Sequence, residues 1–114
     1  MIGTAFPTRY RERMPDYLNL FHRLIDNCAD VRRMGSASLD LCYVACGRFD
    51  GYLEQGLKPW EFAAGDLILR EAGGIVTDFM GETNYVKSGN LVSGNPKVLR
   101  SLLQICDIQN LPAV

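Results

Sequence analysis

Glu54 and Glu61 are the residues whose type and spacing most suggest chemistry. Glu54 closes a short apolar run, and Glu61 falls in the first turn of what reads as the next helix. Hard divalent cations such as Mg²⁺ take oxygen ligands and commonly use only one or two protein carboxylates per ion. The positive end of a helix macrodipole also favours an acidic residue in a first turn, so helix stabilisation alone is the plainer account of Glu61. The triplet Gly35-Ser36-Ala37 sits where a strand would give way to a helix. A glycine there lets backbone approach a ligand, the first helical N–H groups lack internal partners, and Ser36 has a hydroxyl to offer. An ordinary glycine turn with a serine cap explains the same triplet.

Three further features carry weaker signals. His22 is the sole histidine and has no cysteine or acidic partner at a metal-ligand spacing, so it reads as a surface residue. Cys42 and Cys46 share one helical face, where small thiols packed in a core are a plainer reading than a metal bridge. Arg9, Arg11 and Arg13 alternate, which suits a phosphate or an acidic partner but also an ordinary solvated loop. The sequence holds no G-x-G-x-x-G, no P-loop, no Ser-His-Asp set and no zinc-ligand spacing.

The elements that must hold these residues alternate between strand and helix. Ile2 to Phe6 reads as a short strand stopped by Pro7. A helix follows from about Pro15 to Cys28, with Leu18, Phe21, Ile25 and Cys28 as its apolar stripe. Val31 to Met34 is a second strand. Ser36 then caps a helix from Ala37 to Cys46 that is apolar nearly all round and is expected to be central and buried. Tyr52 to Glu54 is a third strand. The next helix begins at Trp60, with Trp60, Ala63, Ala64, Leu67, Ile68 and Ala72 expected to face the core and Asp66 and Arg70 the outside. Ile75 to Thr77 and Leu91 to Ser93 read as strands, and Asn95-Pro96 opens a last helix, Lys97 to Gln104. The tail after Asp107 is expected to fray. This order implies a mixed α/β layered domain.

Composition bounds the function. The chain has 114 residues, 47% of them hydrophobic, which suits one domain with a real core. Twelve basic and 13 acidic residues leave a net charge of −1, which argues against direct DNA or other nucleic-acid binding through bulk positive charge. No apolar run approaches the roughly 18 residues of a spanning helix, so no membrane association is expected. The N-terminus has no secretory pattern, and the four cysteines form no C-x-x-C pair. Together these predict a cytoplasmic protein with reduced, buried thiols.

One set of residues goes further. Gly35-Ser36-Ala37, then Gly47-Arg48-Phe49-Asp50-Gly51-Tyr52, Glu54, Lys58-Pro59-Trp60-Glu61-Phe62-Ala63-Ala64-Gly65 and Arg70-Glu71-Ala72-Gly73-Gly74 follow one another in order. This series resembles the C-terminal half of the inositol monophosphatase family, and within it the bacterial extragenic-suppressor branch. The Trp-acid-x-Ala-Ala-Gly run followed by Glu-Ala-Gly-Gly is highly specific. Ile2 to Pro7 and Leu91 to Pro96 extend the likeness over nearly the whole chain.

The resemblance implies the C-terminal half of a layered α/β/α/β/α sandwich, Mg²⁺, phosphomonoester hydrolysis and homodimers. It places Gly35, Ser36, Ala37 and Glu54 against the hydroxyls of an inositol phosphate or sugar phosphate. It places Glu61 where the family has a metal-ligating aspartate. Glutamate at that position adds one methylene, roughly 1.5 Å of reach, and a misplacement near 1 Å can cost about 100-fold in rate. The D-P-x-D-G-T motif of the family's other half has no match here. The chain is therefore expected to be a single C-terminal unit (residues 1–114) without the N-terminal metal-binding half, and to have little activity alone. The suppressor branch also implies contact with RNA polymerase in antitermination. An uncovered edge on the first strand is expected to drive homo-oligomerisation.

Overall fold

Strand β1 (Ile2–Thr4) is the second strand of a five-stranded sheet of order β2-β1-β3-β5-β4. A computed structural model describes residues 1–106, so the tail expected to fray lies outside the described residues. β2 (Val31–Arg32) and β3 (Gly51–Glu54) flank β1 in parallel, with Gly3 opposite Arg32 and Tyr52. β5 (Leu91–Gly94) runs antiparallel to β3 and to β4 (Ile75–Thr77). β1 is thus paired on both sides, so the expected uncovered edge does not fall on it; among the described residues β2 and β4 form the edges.

Helices cover both faces. On one face, α1 (Met14–Asn27) and α5 (Pro96–Ile105) bury Tyr17, Leu20, Leu24, Leu99 and Leu102 against Ile2, Leu53 and Val92. On the other, α2 (Ala37–Ala45) and α3 (Pro59–Glu71) bury Leu41, Phe62 and Leu69 against Tyr52, Val76 and Leu91. Neighbouring residues of a strand point to opposite faces, so Tyr52 and Leu53 feed different cores, as do Leu91 and Val92. A short helix, α4 (Tyr85–Ser88), and a 3-10 turn at Arg11–Arg13 complete the path. Neither is anticipated by the hydrophobic pattern.

The helix faces differ from the sequence expectation. In α1 the buried residues are Tyr17, Leu20 and Leu24, while Leu18 and Ile25 are half exposed. Tyr17 can enter the core because its hydroxyl meets Thr4 Oγ1 at 2.9 Å and its ring packs edge-on to Phe6. In α3 the expected stripe is rotated outward: Trp60 is 78% exposed, and Leu67 and Ile68 are about half exposed. Phe62, Gly65, Asp66 and Leu69 face inward instead. Gly65 lets the α3 backbone approach α2, since a Cβ there would lie 2.8 Å from Ser38 Cα. Asp66 is therefore not on the outside. It is buried and accepts hydrogen bonds from the Tyr85 hydroxyl at 3.1 Å and from Arg70 Nε at 3.0 Å. α2 is likewise not buried all round, because only Ala37, Asp40 and Leu41 are fully covered while Leu39 and Cys46 are exposed. Among the four free thiols only Cys106 is buried, and burial pushes its pKa up to about 12. His22 is exposed, 3.4 Å from Asp26.

Candidate functional site

The three parallel strands deliver their C-terminal ends to one edge of the sheet, and a cleft of about 360 Å³ opens there. Open α/β sheets offer ligands this position because loops and helix N-termini converge on it. β1 leads into Ala5 to Tyr10, β2 into Arg33 to Ala37, and β3 into Glu54 to Leu57. Gly35, Ser36, Ala37, Glu54 and Glu61, separate in the sequence, all line this single cleft.

Local structure explains each placement. Gly35 has φ +87°, a conformation costly for other residues, and it turns the chain from β2 into α2. Ser36 is the N-cap, but its Oγ lies 3.5 Å from the Leu39 N–H, a long contact that leaves hydroxyl capacity for a ligand. Ser38 Oγ donates to the Glu61 carbonyl at 3.0 Å and so joins the N-terminal turns of α2 and α3. Gly56 has φ +72° and lies against the Tyr10 ring, which a Cβ would meet at 2.6 Å. Its N–H donates to Asn90 Oδ1 at 3.0 Å, and the Leu57 N–H to the Gly89 carbonyl at 2.8 Å. The approach to β5 therefore clamps the floor of the cleft.

The carboxylates differ in state. Tyr52 and Glu54, two apart on one strand, share a face, and the Tyr52 hydroxyl donates to Glu54 Oε1 at 2.5 Å. Burial raises the Glu54 pKa and the charge of Glu61 adds to this, while the Tyr52 bond opposes it. Burial holds the Tyr52 hydroxyl well above its ordinary range. Glu61 is lowered, first by Arg9. Arg9 Nη1 and Nη2 reach Glu61 Oε2 and Oε1, each at 2.6 Å. Glu61 Oε2 also accepts the Lys58 N–H at 2.7 Å, so Glu61 caps its own helix as well. The solvated-loop reading of Arg9 is thus replaced by a direct place in the site. Arg11 and Arg13 do not line the cleft; Arg13 stacks over Tyr10 at 4.7 Å.

Sequence reasoning missed Asp40. It is fully buried in α2, one turn beyond Ser36, and neither carboxylate oxygen has a hydrogen-bond partner. Burial, reinforced by the charge of Glu54 and opposed by Arg33, raises its pKa to about 7. A lone carboxylate in an otherwise apolar helix was the available signal. Arg33, which lines the cleft, carried no comparable signal.

The Mg²⁺ site can be tested against this geometry. Among the described residues no group of three or more His, Cys, Asp or Glu side chains could hold a metal ion. Both oxygens of Glu61 are engaged by Arg9. The described residues therefore do not fit a divalent cation by themselves.

The sequence profile of the inositol monophosphatase family matches residues 1–110. The chain belongs to that family. It is 52% identical over 103 residues to the Nus factor SuhB of Escherichia coli K12, covering 90% of this chain and 39% of that protein. The extragenic suppressor protein SuhB of Bartonella henselae superposes with a TM-score of 0.88 at 37% identity, covering 93% of this chain and 40% of that one. An inositol monophosphatase from Anabaena (Nostoc) sp. PCC 7120 gives 0.83 at 35% identity, covering 97% and 43%. The chain thus spans about two-fifths of the length of these family members. The fold is that of a partial domain of the inositol monophosphatase family, as the residue series implies.

Proposed function

We propose that this chain is the substrate-pocket half of an inositol monophosphatase, a phosphomonoester hydrolase acting on an inositol phosphate or related sugar phosphate. The observation that carries this reading is the convergence of Gly35, Ser36, Ala37, Glu54 and Glu61 on one cleft. Glu54 is positioned to accept a ring hydroxyl, oriented by Tyr52. The Ser36 hydroxyl and the free N–H groups at the start of α2 supply polar contacts opposite it. The hydrolytic step belongs to residues beyond this cleft, because the described carboxylates do not assemble a metal site. The chain alone is expected to turn over inositol 1-phosphate poorly in Mg²⁺. The test is amide NMR during titration with inositol 1-phosphate. Shifts at Gly35 to Ala37 and at Glu54, abolished by Glu54→Gln, are expected; shifts confined elsewhere, or none, overturn the assignment. Turnover near that of a whole family member would overturn the expected inactivity.

A second reading is a cytoplasmic, non-catalytic module that contacts RNA polymerase. The engagement of Glu61 by Arg9 and the Nus factor name of the Escherichia coli relative favour it. Co-elution with purified RNA polymerase on size exclusion would support this reading, and separate elution would count against it. Under either reading the chain is a homo-oligomer. The surface that supports this is the apolar outer face of α3 around Trp60, Leu67 and Ile68, in place of a strand edge. Light scattering should give at least a dimer, and a monodisperse monomer would refute it.

A further inference from the structure

We infer that Glu61 is a positioning residue for Arg9, and that the guanidinium it holds receives the anionic group of a ligand in the cleft, the phosphate of a monoester or phosphate itself. The inference rests on the phosphate-ester reading above. Phosphate oxygens that leave water need charged or fixed N–H donors in its place. The cationic side chains that line the cleft are Arg9 and Arg33. A guanidinium carries five N–H donors and no acceptor. Glu61 takes one donor on Nη1 and one on Nη2, each at 2.6 Å. Three remain, one of them on Nε, and among the described residues Arg9 has no other hydrogen-bond partner. Two parallel bonds to one carboxylate fix the plane of the guanidinium as well as its place. Glu61 is fixed in its turn. Its Oε2 accepts the Lys58 N–H at 2.7 Å, and its carbonyl accepts from Ser38 Oγ at 3.0 Å. An arginine on a loop loses rotamer freedom when it meets a ligand. Here Glu61 has removed that freedom before the ligand arrives, which lowers the cost of binding. Arg9 is half exposed and lines the cleft, so its remaining donors are left for a ligand. Glu54 stands in the same cleft with the Tyr52 hydroxyl on it, so the anionic group and the ring hydroxyls have separate partners.

The test titrates the chain with inorganic phosphate and with inositol 1-phosphate, in EDTA at pH 6.5, and reads NMR signals. The Arg9 Nε–Hε signal is identified by its loss in Arg9→Gln, and the Glu61 side-chain carboxyl signal by its loss in Glu61→Gln. Both ligands are expected to shift Arg9 Nε–Hε while the Glu61 carboxyl signal stays in place. Read at the cleft amides, Arg9→Gln should weaken phosphate binding about fivefold or more. Arg9→Lys keeps the charge without the fork and should weaken it about threefold or more. In Glu61→Gln the Arg9 signal should broaden and its response to phosphate should shrink. Arg11→Gln removes a charge outside the cleft and should behave as the parent. A Glu61 carboxyl signal that phosphate moves to its position in Arg9→Gln would make Glu61 a competitor for the guanidinium and overturn the inference. So would parent-like binding by Arg9→Lys, or an equal loss in Arg11→Gln, either of which reduces the effect to charge. Inositol 1-phosphate shifts at Gly35 to Ala37 with Arg9 unmoved overturn this inference and leave the substrate reading standing. An Arg9 response to phosphate with no inositol 1-phosphate shifts at Gly35 to Ala37 overturns the substrate reading and leaves Arg9 as an anion site. No response to either ligand overturns both.

Discussion

Replacing Asp40 with asparagine should remove a pH dependence of stability that the fold imposes on itself. Asp40 is fully buried with both oxygens unpartnered, and its folded pKa is about 7 against an ordinary 3.8. The folded state therefore holds this proton more tightly than the unfolded state does. The contribution of Asp40 to stability is greatest below about pH 4, falls as pH rises towards 7, and is flat above that. At 1.36 kcal/mol per pKa unit, the full loss is about 4 kcal/mol, of which about 3 kcal/mol falls between pH 5 and pH 8. Asparagine has the same shape and no charge. Its own unpaired amide adds a cost that does not vary with pH, so the informative quantity is the change in the difference between the two chains. Urea unfolding at pH 5 and pH 8 measures it. With a slope near 2 kcal/mol per molar urea, the parent midpoint should drop relative to Asp40→Asn by about 1.5 M over this interval. Groups that do not sense Asp40 are common to both chains and cancel; Glu54, whose charge reinforces the Asp40 shift, is removed from the comparison by carrying Glu54→Gln in both chains. A gap that stays constant from pH 5 to pH 8 would show that Asp40 ionises freely in the fold and refute the reasoning.

Three further substitutions probe the packing and capping of the fold. Gly65→Ala would press a Cβ to 2.8 Å from the Ser38 backbone, and a loss of about 1–3 kcal/mol in chemical denaturation is expected. Tyr85→Phe removes the hydroxyl that bonds both oxygens of buried Asp66; about 1–3 kcal/mol should be lost, measured the same way. Asn95→Ala deletes the side chain that accepts the Val98 N–H at 2.8 Å at the start of α5, and a loss of about 1 kcal/mol is expected in thermal unfolding monitored by circular dichroism.

Sequence pattern located the elements better than it located their faces. Ile75–Thr77 matches its strand residue for residue, and Asn95 is the cap it was expected to be. The faces of α1 and α3 were misread because hydrophobicity alone assigns tyrosine, glycine and aspartate to water. Tyr17 is in the core through Thr4, Asp66 through Tyr85 and Arg70, and Gly65 because a contact between helices needs a residue without a side chain. Thr4, Tyr85 and the Ser38 backbone that Gly65 meets all lie on other elements, which periodicity does not encode. The site divides in the same way. Generic spacing left Glu54, Glu61 and the Gly35 turn as weak signals; their order along the chain, read as a family pattern, joined them. The Arg9 fork and the orphaned Asp40 carboxylate emerge only once β1, β3 and the helix N-termini are brought together.

The clamp beneath the cleft also sets an order in time. Gly56 and its Asn90 partner are 34 residues apart. At roughly 5–20 residues per second, a ribosome makes the loop about 2–7 s before it makes the clamp. During that interval the backbone N–H groups of Gly56 and Leu57 have only water to bond. The parallel strands β1, β2 and β3 can already be paired, yet the loop that sets the spacing between Glu54 and Glu61 is not fixed. The pocket is thus fixed only after every residue that lines it has been made, and a chain stopped short of Asn90 would carry every cleft residue without the clamp.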